Sequence, residues 1–168
     1  MKPYNKEESK RIQIRRMFNN IAPYYDRICH ILSFNIDRLW RKRLVELVAE
    51  RKPTNIVDIA TGTVEHFSIK PNIRLLCEDA ENLSLSSNTF DVVTISFGIR
   101  NFENIVKALS ECHRILKEGG SLFIMEFSTP KHKVFNVLYR IYSKHILPLI
   151  GQVISNDDKA YKYLPESI

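Results

Sequence analysis

Three short runs of β-branched and aromatic residues constrain this chain more than anything else in it: NIVDIA at 55–60, TFDVVTIS at 89–96 and SLFIMEF at 121–127. Each is apolar at consecutive rather than alternate positions, the pattern of a strand covered on both faces in a parallel sheet. A fourth run, IRLLC at 73–77, ends in Glu78 and Asp79. Helical spacing is carried by Ile12, Ile14 and Phe18 within 6–18, and by Leu39, Trp40, Leu44, Leu47 and Val48 within 36–50. Within 103–117 the spacing predicts a stripe of Ile105, Leu109, Cys112, His113 and Leu116, with Gly119 and Gly120 as the helix stop. Residues 21–34 read as a helix and turn whose aromatic side chains face inward, and 132–150 as a long apolar-rich helix interrupted by Pro148. Strands that alternate with helices predict an α/β, doubly wound, Rossmann-like fold.

The length of 168 residues suits one domain. We divide it into a helical cap over 1–52 and, over 53–168, a sheet core with its substrate-covering helix. A net charge of +6, gathered early at Lys2, Lys6, Lys10, Arg11, Arg15 and Arg16, suits an anionic cofactor, a nucleic acid or an anionic membrane surface without choosing among them. Three scattered cysteines without CxxC spacing predict neither a disulfide framework nor a metal site, and fit a reducing, cytoplasmic setting. No apolar run approaches the roughly 18 residues of a membrane span, and no signal peptide is predicted.

Ligands of open parallel sheets bind beyond the carboxyl ends of the strands, so the residues that close each strand are the candidates. DIATGT at 58–63 offers the Asp58 carboxylate, the hydroxyls of Thr61 and Thr63, and a close backbone approach at Gly62. EDAENL at 78–83 offers Asp79, an acceptor suited to an exocyclic amine such as that of adenine, beside the small Ala80. SFGIRN at 96–101 and EFSTP at 126–130 close the other two strands. The absence of GxGxxG argues against a dinucleotide site. His113 and His145 are set aside as general bases, since packing or surface positions suit them better.

YDRICHILSFNIDRLW at 25–40 resembles the first signature of the menaquinone/ubiquinone biosynthesis C-methyltransferases. RILKEGGSLFIMEFS at 114–128 is similar to their second, and TISFGIRN and the NDDKAYKYLPES tail look like the same family. The first signature departs at Cys29, where the family usually has Asn, and at Asp37, where it usually has His. The resemblance implies a class I methyltransferase fold and transfer of a methyl group from S-adenosylmethionine to a ring carbon of a polyprenylated quinol, foremost demethylmenaquinol. By position it implies cofactor contacts at Thr63, Asp79, Ala80 and Ser96, with Asp58 and Gly62 lining the pocket. Arg100 and Asn101 would position a water or the quinol oxygen, and Tyr25 would reach in from the cap. Val134, Phe135, Val137, Leu138, Ile141, Ile146 and Leu147 would form either a hydrophobic cover for the quinol or ordinary core. Transient contact with the inner membrane face and a homodimer are compatible with this reading. SFGIRN argues against nucleic-acid methylation, because amino-methylating relatives typically place an Asn or Asp with prolines and an aromatic there.

Between Ala60 and Ile73 the chain has only TGTVEHFSIKPN, near the minimum for a single parallel crossover. The family's first cofactor helix and the strand whose terminal acid holds the ribose hydroxyls do not fit in it. The expectation is that a longer enzyme supplies these residues and more beyond Ile168, since a sheet without them would leave apolar edges open. The competing expectation is a truncated relative that acts as a binding or scaffold protein.

Overall fold

A computed structural model describes residues 2–4, 7–21, 25–61, 76–128, 139, 141–142 and 163. The chain divides into two compact units, one made of residues 1–42 and 127–168, the other of 43–126.

In the first unit lie α1 (Lys10–Ile21), α2 (Tyr25–Leu32) and the start of α3 (Ile36–Glu50). Helix α1 buries Gln13, Met17 and Ile21, one residue per turn along a single stripe. The buried Gln13 amide is satisfied locally: its Nε2 donates to the Glu8 carbonyl (3.0 Å) and its Oε1 accepts from the Tyr4 N–H (2.8 Å). Between α2 and α3 the chain turns through Phe34 (φ 52°) and Asn35 (φ 63°), both left-handed. That turn overturns part of the inward-facing expectation for 21–34, because it leaves Phe34 70% exposed. The exposed ring stacks at 5.2 Å on Tyr142, whose hydroxyl donates to the Ile31 carbonyl (3.1 Å).

Asp37 is the electrostatic centre of this unit. Its side chain is fully buried. It accepts from His30 Nδ1 (2.8 Å) and from the Ser33 hydroxyl (2.6 Å), while the Ser33 Oγ accepts from the Asp37 N–H (3.2 Å) and Arg41 Nε lies 3.6 Å away. The departure from the family's usual residue at 37 is thus accompanied by a dedicated set of partners.

The second unit contains β1 (Ile56–Ile59), β2 (Phe90–Ser96), α4 (Ile105–Ile115) and β3 (Leu116–Met125). The strands form a parallel sheet in the order β1-β2-β3, with Asp58 opposite Thr94 and Ser96 opposite Met125. The central β2 buries Val92, Val93, Thr94 and Ile95 in succession, as its unbroken apolar run predicts. Val93 and Ile95 pack with Ile59, Cys112 and Ile115 into one core. Burial raises the Cys112 thiol above its ordinary pKa, which suits a packing role. Of the run at 73–77, residues 76–77 are irregular and the rest lies outside the described residues.

Two expectations for α4 are corrected. Its buried stripe is Ala108, Cys112 and Ile115, and His113 is exposed beside Val106, Leu109 and Ser110. Nor do Gly119 and Gly120 stop the helix. It ends at Ile115, with Leu116 already extended (φ −69°, ψ 139°), and both glycines lie inside β3. There the register jumps from Leu116 opposite Phe90 to Ser121 opposite Val92, and the extra residues bulge out through Gly119 at φ 76°.

Asp91 ties the amino ends of the three strands together. One carboxylate oxygen accepts from the Thr54 N–H (2.9 Å), the Thr54 hydroxyl (2.7 Å) and the Asn55 N–H (2.9 Å), and the other from Lys117 Nζ (2.7 Å). Lys117, then Thr54 and Asn55, hold this carboxyl well below the usual carboxylate range.

On the flank, Arg114 donates to the carbonyls of Leu83 (3.0 Å) and Leu85 (2.8 Å), and its partner Glu111 accepts from the Leu83 N–H (2.9 Å). The loop that carries Asp79 and Ala80 towards β2 is thereby sewn to α4. Hydrogen bonding to Arg114 pulls the Glu111 carboxyl down to about 2 from its ordinary 4.5. Because the folded value is the depressed one, the stabilisation is complete above 4.5 and is lost as pH falls towards about 2. The melting midpoint of Glu111→Gln should therefore lie below that of the unaltered protein at pH 7, and the gap should close between pH 4.5 and 2. Thermal melts across that range would show it, and a gap independent of pH would contradict the assignment.

Candidate active site

The carboxyl ends of the three strands lie together along one edge of the sheet. At two of them the backbone is forced into the left-handed region by residues other than glycine: Ala60 just past β1 (φ 66°) and Phe97 just past β2 (φ 58°). Such conformations cost about 1–3 kcal/mol each and concentrate where a loop has to be aimed. The Phe97 ring is buried, and its N–H continues the ladder to the Met125 carbonyl (2.8 Å). The chain then passes Gly98 into a single 3-10 turn, Ile99–Asn101.

Gly98 sits against Ala60. A Cβ at position 98 would lie 2.5 Å from the Ala60 Cβ, well inside contact distance. Gly98→Ala should cost about 2 kcal/mol, as overpacking of a filled site does. Ala60→Gly removes the opposing methyl and relieves the left-handed backbone, so in that background Gly98→Ala should cost far less. Urea titrations of the four proteins measure the coupling, and additive effects would show that the two positions do not meet.

Arg100 lies in the 3-10 turn with its side chain 8% exposed. Its Nη1 is 3.3 Å from an Oε of Glu126, itself 19% exposed and the first residue past β3. Arg100 and Glu126 thus form a part-buried ion pair that bridges two strand ends. Asn101 is buried beside it, with its N–H bonded to the Gly98 carbonyl (3.0 Å). Ser96 ends β2 half-buried. On β1 the Asp58 carboxylate is turned towards the neighbouring strand, where it accepts from the Thr94 hydroxyl.

Asp79 is half-buried in a tight turn, where its Oδ1 accepts from the Glu81 N–H (3.0 Å) and its carbonyl from the Asn82 N–H (2.9 Å). Ala80 packs against the core cluster that also receives Ile99. Glu81 accepts from the Asn104 N–H (2.7 Å), which ties this turn to the start of α4. Asp58, Asp79, Ala80, Ser96, Arg100 and Asn101 all belong to the second unit. Tyr25 opens α2 in the first unit, and its side chain lies outside the described residues, as do Gly62, Thr63 and His145. Of the apolar cover residues only Ile141 is described, 52% exposed. The sequence marks Glu126 only as the start of the strand end EFSTP, without a role of its own; its signal is an acidic residue closing a strand that runs parallel to the one ending before Arg100.

The family model described as the ubiE/COQ5 methyltransferase family matches residues 5–70 and 64–168. The chain belongs to that family. Its fold is accordingly the class I, Rossmann-like one, of which the parallel three-stranded sheet is the described part. Among relatives of this ubiE/COQ5 chain, the demethylmenaquinone methyltransferase of Bacteroides fragilis is 36% identical over 200 aligned positions, which cover 100% of this chain and 82% of that protein. The demethylmenaquinone methyltransferase of Thermus thermophilus is 38% identical over 90% of this chain and 83% of its own length. The ubiquinone/menaquinone biosynthesis C-methyltransferase UbiE of Zymomonas mobilis is 39% identical over 90% of this chain and 75% of its own. The family match falls into two pieces that meet at 64–70, and an alignment of 200 positions spans only 168 residues of this chain. The break in the family match falls in the interval where the resemblance expects the first cofactor helix and the ribose-binding strand, and the 200-position alignment shows that the relative has residues without a counterpart in this chain.

Proposed function

We propose that this ubiE/COQ5 family chain transfers a methyl group from S-adenosylmethionine to a ring carbon of a polyprenylated quinol, with demethylmenaquinol as the acceptor. The observation that carries the reading is the buried Arg100 at the ligand edge of the sheet in a chain matched to the family over 5–168. The described donor set suits the cofactor: Asp79 can accept from an adenine amine, Ala80 leaves room beside it, and Ser96 offers a hydroxyl at the end of β2. Thr63, Gly62 and Asp58 complete the proposed pocket. When bound, the cofactor supplies a methyl already activated on a sulfonium.

What remains for the chain's own residues is alignment, exclusion of water and stabilisation of charge. The acceptor carbon becomes nucleophilic as the neighbouring hydroxyl loses its proton, and the Arg100 guanidinium holds the oxygen as it gains charge. Asn101 follows it in the turn and would fix that oxygen or a water beside it, a task that the family resemblance also assigns to Tyr25. The apolar quinol tail and the basic amino-terminal helix together favour transient contact with an anionic membrane surface. Among the described residues no helix is long and apolar enough to cross a membrane. A homodimer is compatible with this arrangement.

Incubation with methyl-labelled S-adenosylmethionine and reduced demethylmenaquinone tests the proposal: label should appear in menaquinol and not with the fully methylated quinol. The break in the family match at 64–70 favours one second reading, a relative that binds quinone-pathway enzymes or lipid without a competent cofactor pocket. Calorimetric titration with S-adenosylmethionine separates the two, because the scaffold reading requires that no binding be seen.

A further inference from the structure

We infer that Glu126 is a positioning residue for Arg100, an ion-pair partner that holds the guanidinium where it meets the acceptor oxygen. This inference rests on the proposed role of Arg100 and extends it to a residue on a different strand.

The two side chains come from adjacent parallel strands. Ser96 and Met125 are in register, and the Phe97 N–H to Met125 carbonyl bond carries the pairing one residue further. Glu126 therefore sits beside the turn from which Arg100 springs, and the carboxylate is delivered by backbone geometry rather than by a mobile loop. The pair is largely withdrawn from solvent, with side chains 8% and 19% exposed, and Nη1 lies 3.3 Å from the carboxylate, at ion-pair distance without hydrogen-bond alignment.

A buried ion pair is a poor source of stability, since the desolvation of two charges about cancels their attraction. What it does provide is direction. An arginine otherwise samples many rotamers, and its planar fork donates to an oxygen within its own plane. A carboxylate held by one strand end draws the guanidinium to it by charge before any ligand arrives, without an aligned hydrogen bond at Nη1 or Nε, and five N–H donors let one guanidinium face a carboxylate and a second oxygen together. The pairing also sets the charge of the site. With Glu126 beside it, Arg100 presents a near-neutral pair to an uncharged quinol and a donor to the anion that forms from it, the preorganised arrangement that favours the transition state over the ground state.

Two measurements on the full chain test this. In the first, nitrogen-15 relaxation of the arginine side chains reports guanidinium rotation. Arg100 should rotate at least tenfold more slowly than the exposed Arg38, and Glu126→Gln should abolish most of that difference. Rotation of Arg100 as fast as Arg38 in the unaltered protein would overturn the inference, whether or not the chain turns over quinol. In the second, methyl transfer is compared across Glu126→Gln, Glu126→Ala, Arg100→Ala and the double variant Glu126→Ala/Arg100→Ala. The expectation is a kcat loss of about tenfold for Gln and more for Ala, with KM for S-adenosylmethionine unchanged, and no further loss when Glu126→Ala is added to Arg100→Ala. Additive losses, or a loss confined to KM, would overturn it. An unaltered chain that holds Arg100 rigidly but fails to methylate the quinol would count against the proposed function and leave Glu126 in its role.

Discussion

Arg100→Ala should lower methyl transfer to the quinol by about 100-fold, the usual consequence of removing a donor aimed at developing negative charge, while S-adenosylmethionine binding stays within about twofold. The prediction is large because the guanidinium is buried, where its charge is far less screened than at a surface. Alanine also leaves the Glu126 carboxylate without its cation, so some loss of stability should accompany the loss of turnover. Arg100→Met, which keeps volume without charge, and Arg100→Lys, which keeps charge without the fork, separate these effects. Lysine should recover part of the rate, and methionine none. Unchanged turnover in Arg100→Ala, assayed well below its melting temperature, would remove this residue from the reaction.

Asp37→Ala should destabilise the protein by about 3 kcal/mol, the cost of breaking a buried charge network by removing one member. The carboxylate is fully buried and answers His30, Ser33 and Arg41 together, so its removal leaves an imidazole and a hydroxyl at the junction of α2 and α3 without their acceptor. Burial by itself would raise the Asp37 pKa. The hydrogen bond from Ser33 and the contacts with His30 and Arg41 outweigh it and leave the group below its ordinary 3.8. The folded value being the lower one, the contribution is present above 3.8 and fades as acid protonates the group. Asp37→Asn, which retains the shape and one acceptor, should lose less than alanine and should lack that acid-sensitive component. Urea titrations followed by circular dichroism at pH 7 and pH 3 give both numbers. A change below about 0.5 kcal/mol for Asp37→Ala, the size of an ordinary surface substitution, would show that the network holds nothing together.

What could be read from the residues, and what could not, follows from the range of the interaction involved. Helix α3 over 36–50 and strand β2 over 90–96 lie where periodicity and apolar run length predict them, because both signals are local. The stop assigned to Gly119 and Gly120 failed for the opposite reason. A glycine pair after a helix looks the same whether it caps the helix or bulges out of the following strand, and only pairing with Phe90 and Val92 decides. The spacing puts His113 on the inner stripe four residues after Leu109, but the buried face runs through Ala108, Cys112 and Ile115, so Leu109 falls at its margin and His113 in solvent. The Arg100–Glu126 pair joins residues far apart in sequence and becomes visible only when the parallel register is known. His30 and Asp37 are seven apart, but the left-handed turn at Phe34 and Asn35 breaks the helical path between them, so no periodic rule links them.

The Asp91 clasp explains how so short a link after β1 is compatible with an ordered sheet. Strand alignment here is set upstream: Asn55 and Thr54 dock on the Asp91 carboxylate, the Asn55 carbonyl receives the Asp91 N–H (2.9 Å), and the Asn55 side chain donates to the Thr89 carbonyl (3.2 Å). None of these groups belongs to the connection that leaves the far end of β1. Length changes in that connection therefore bear on what the ligand edge can hold and not on how β1 lies against β2. The groups that align β1 on β2 and the candidate site residues thus lie at opposite ends of the same strands.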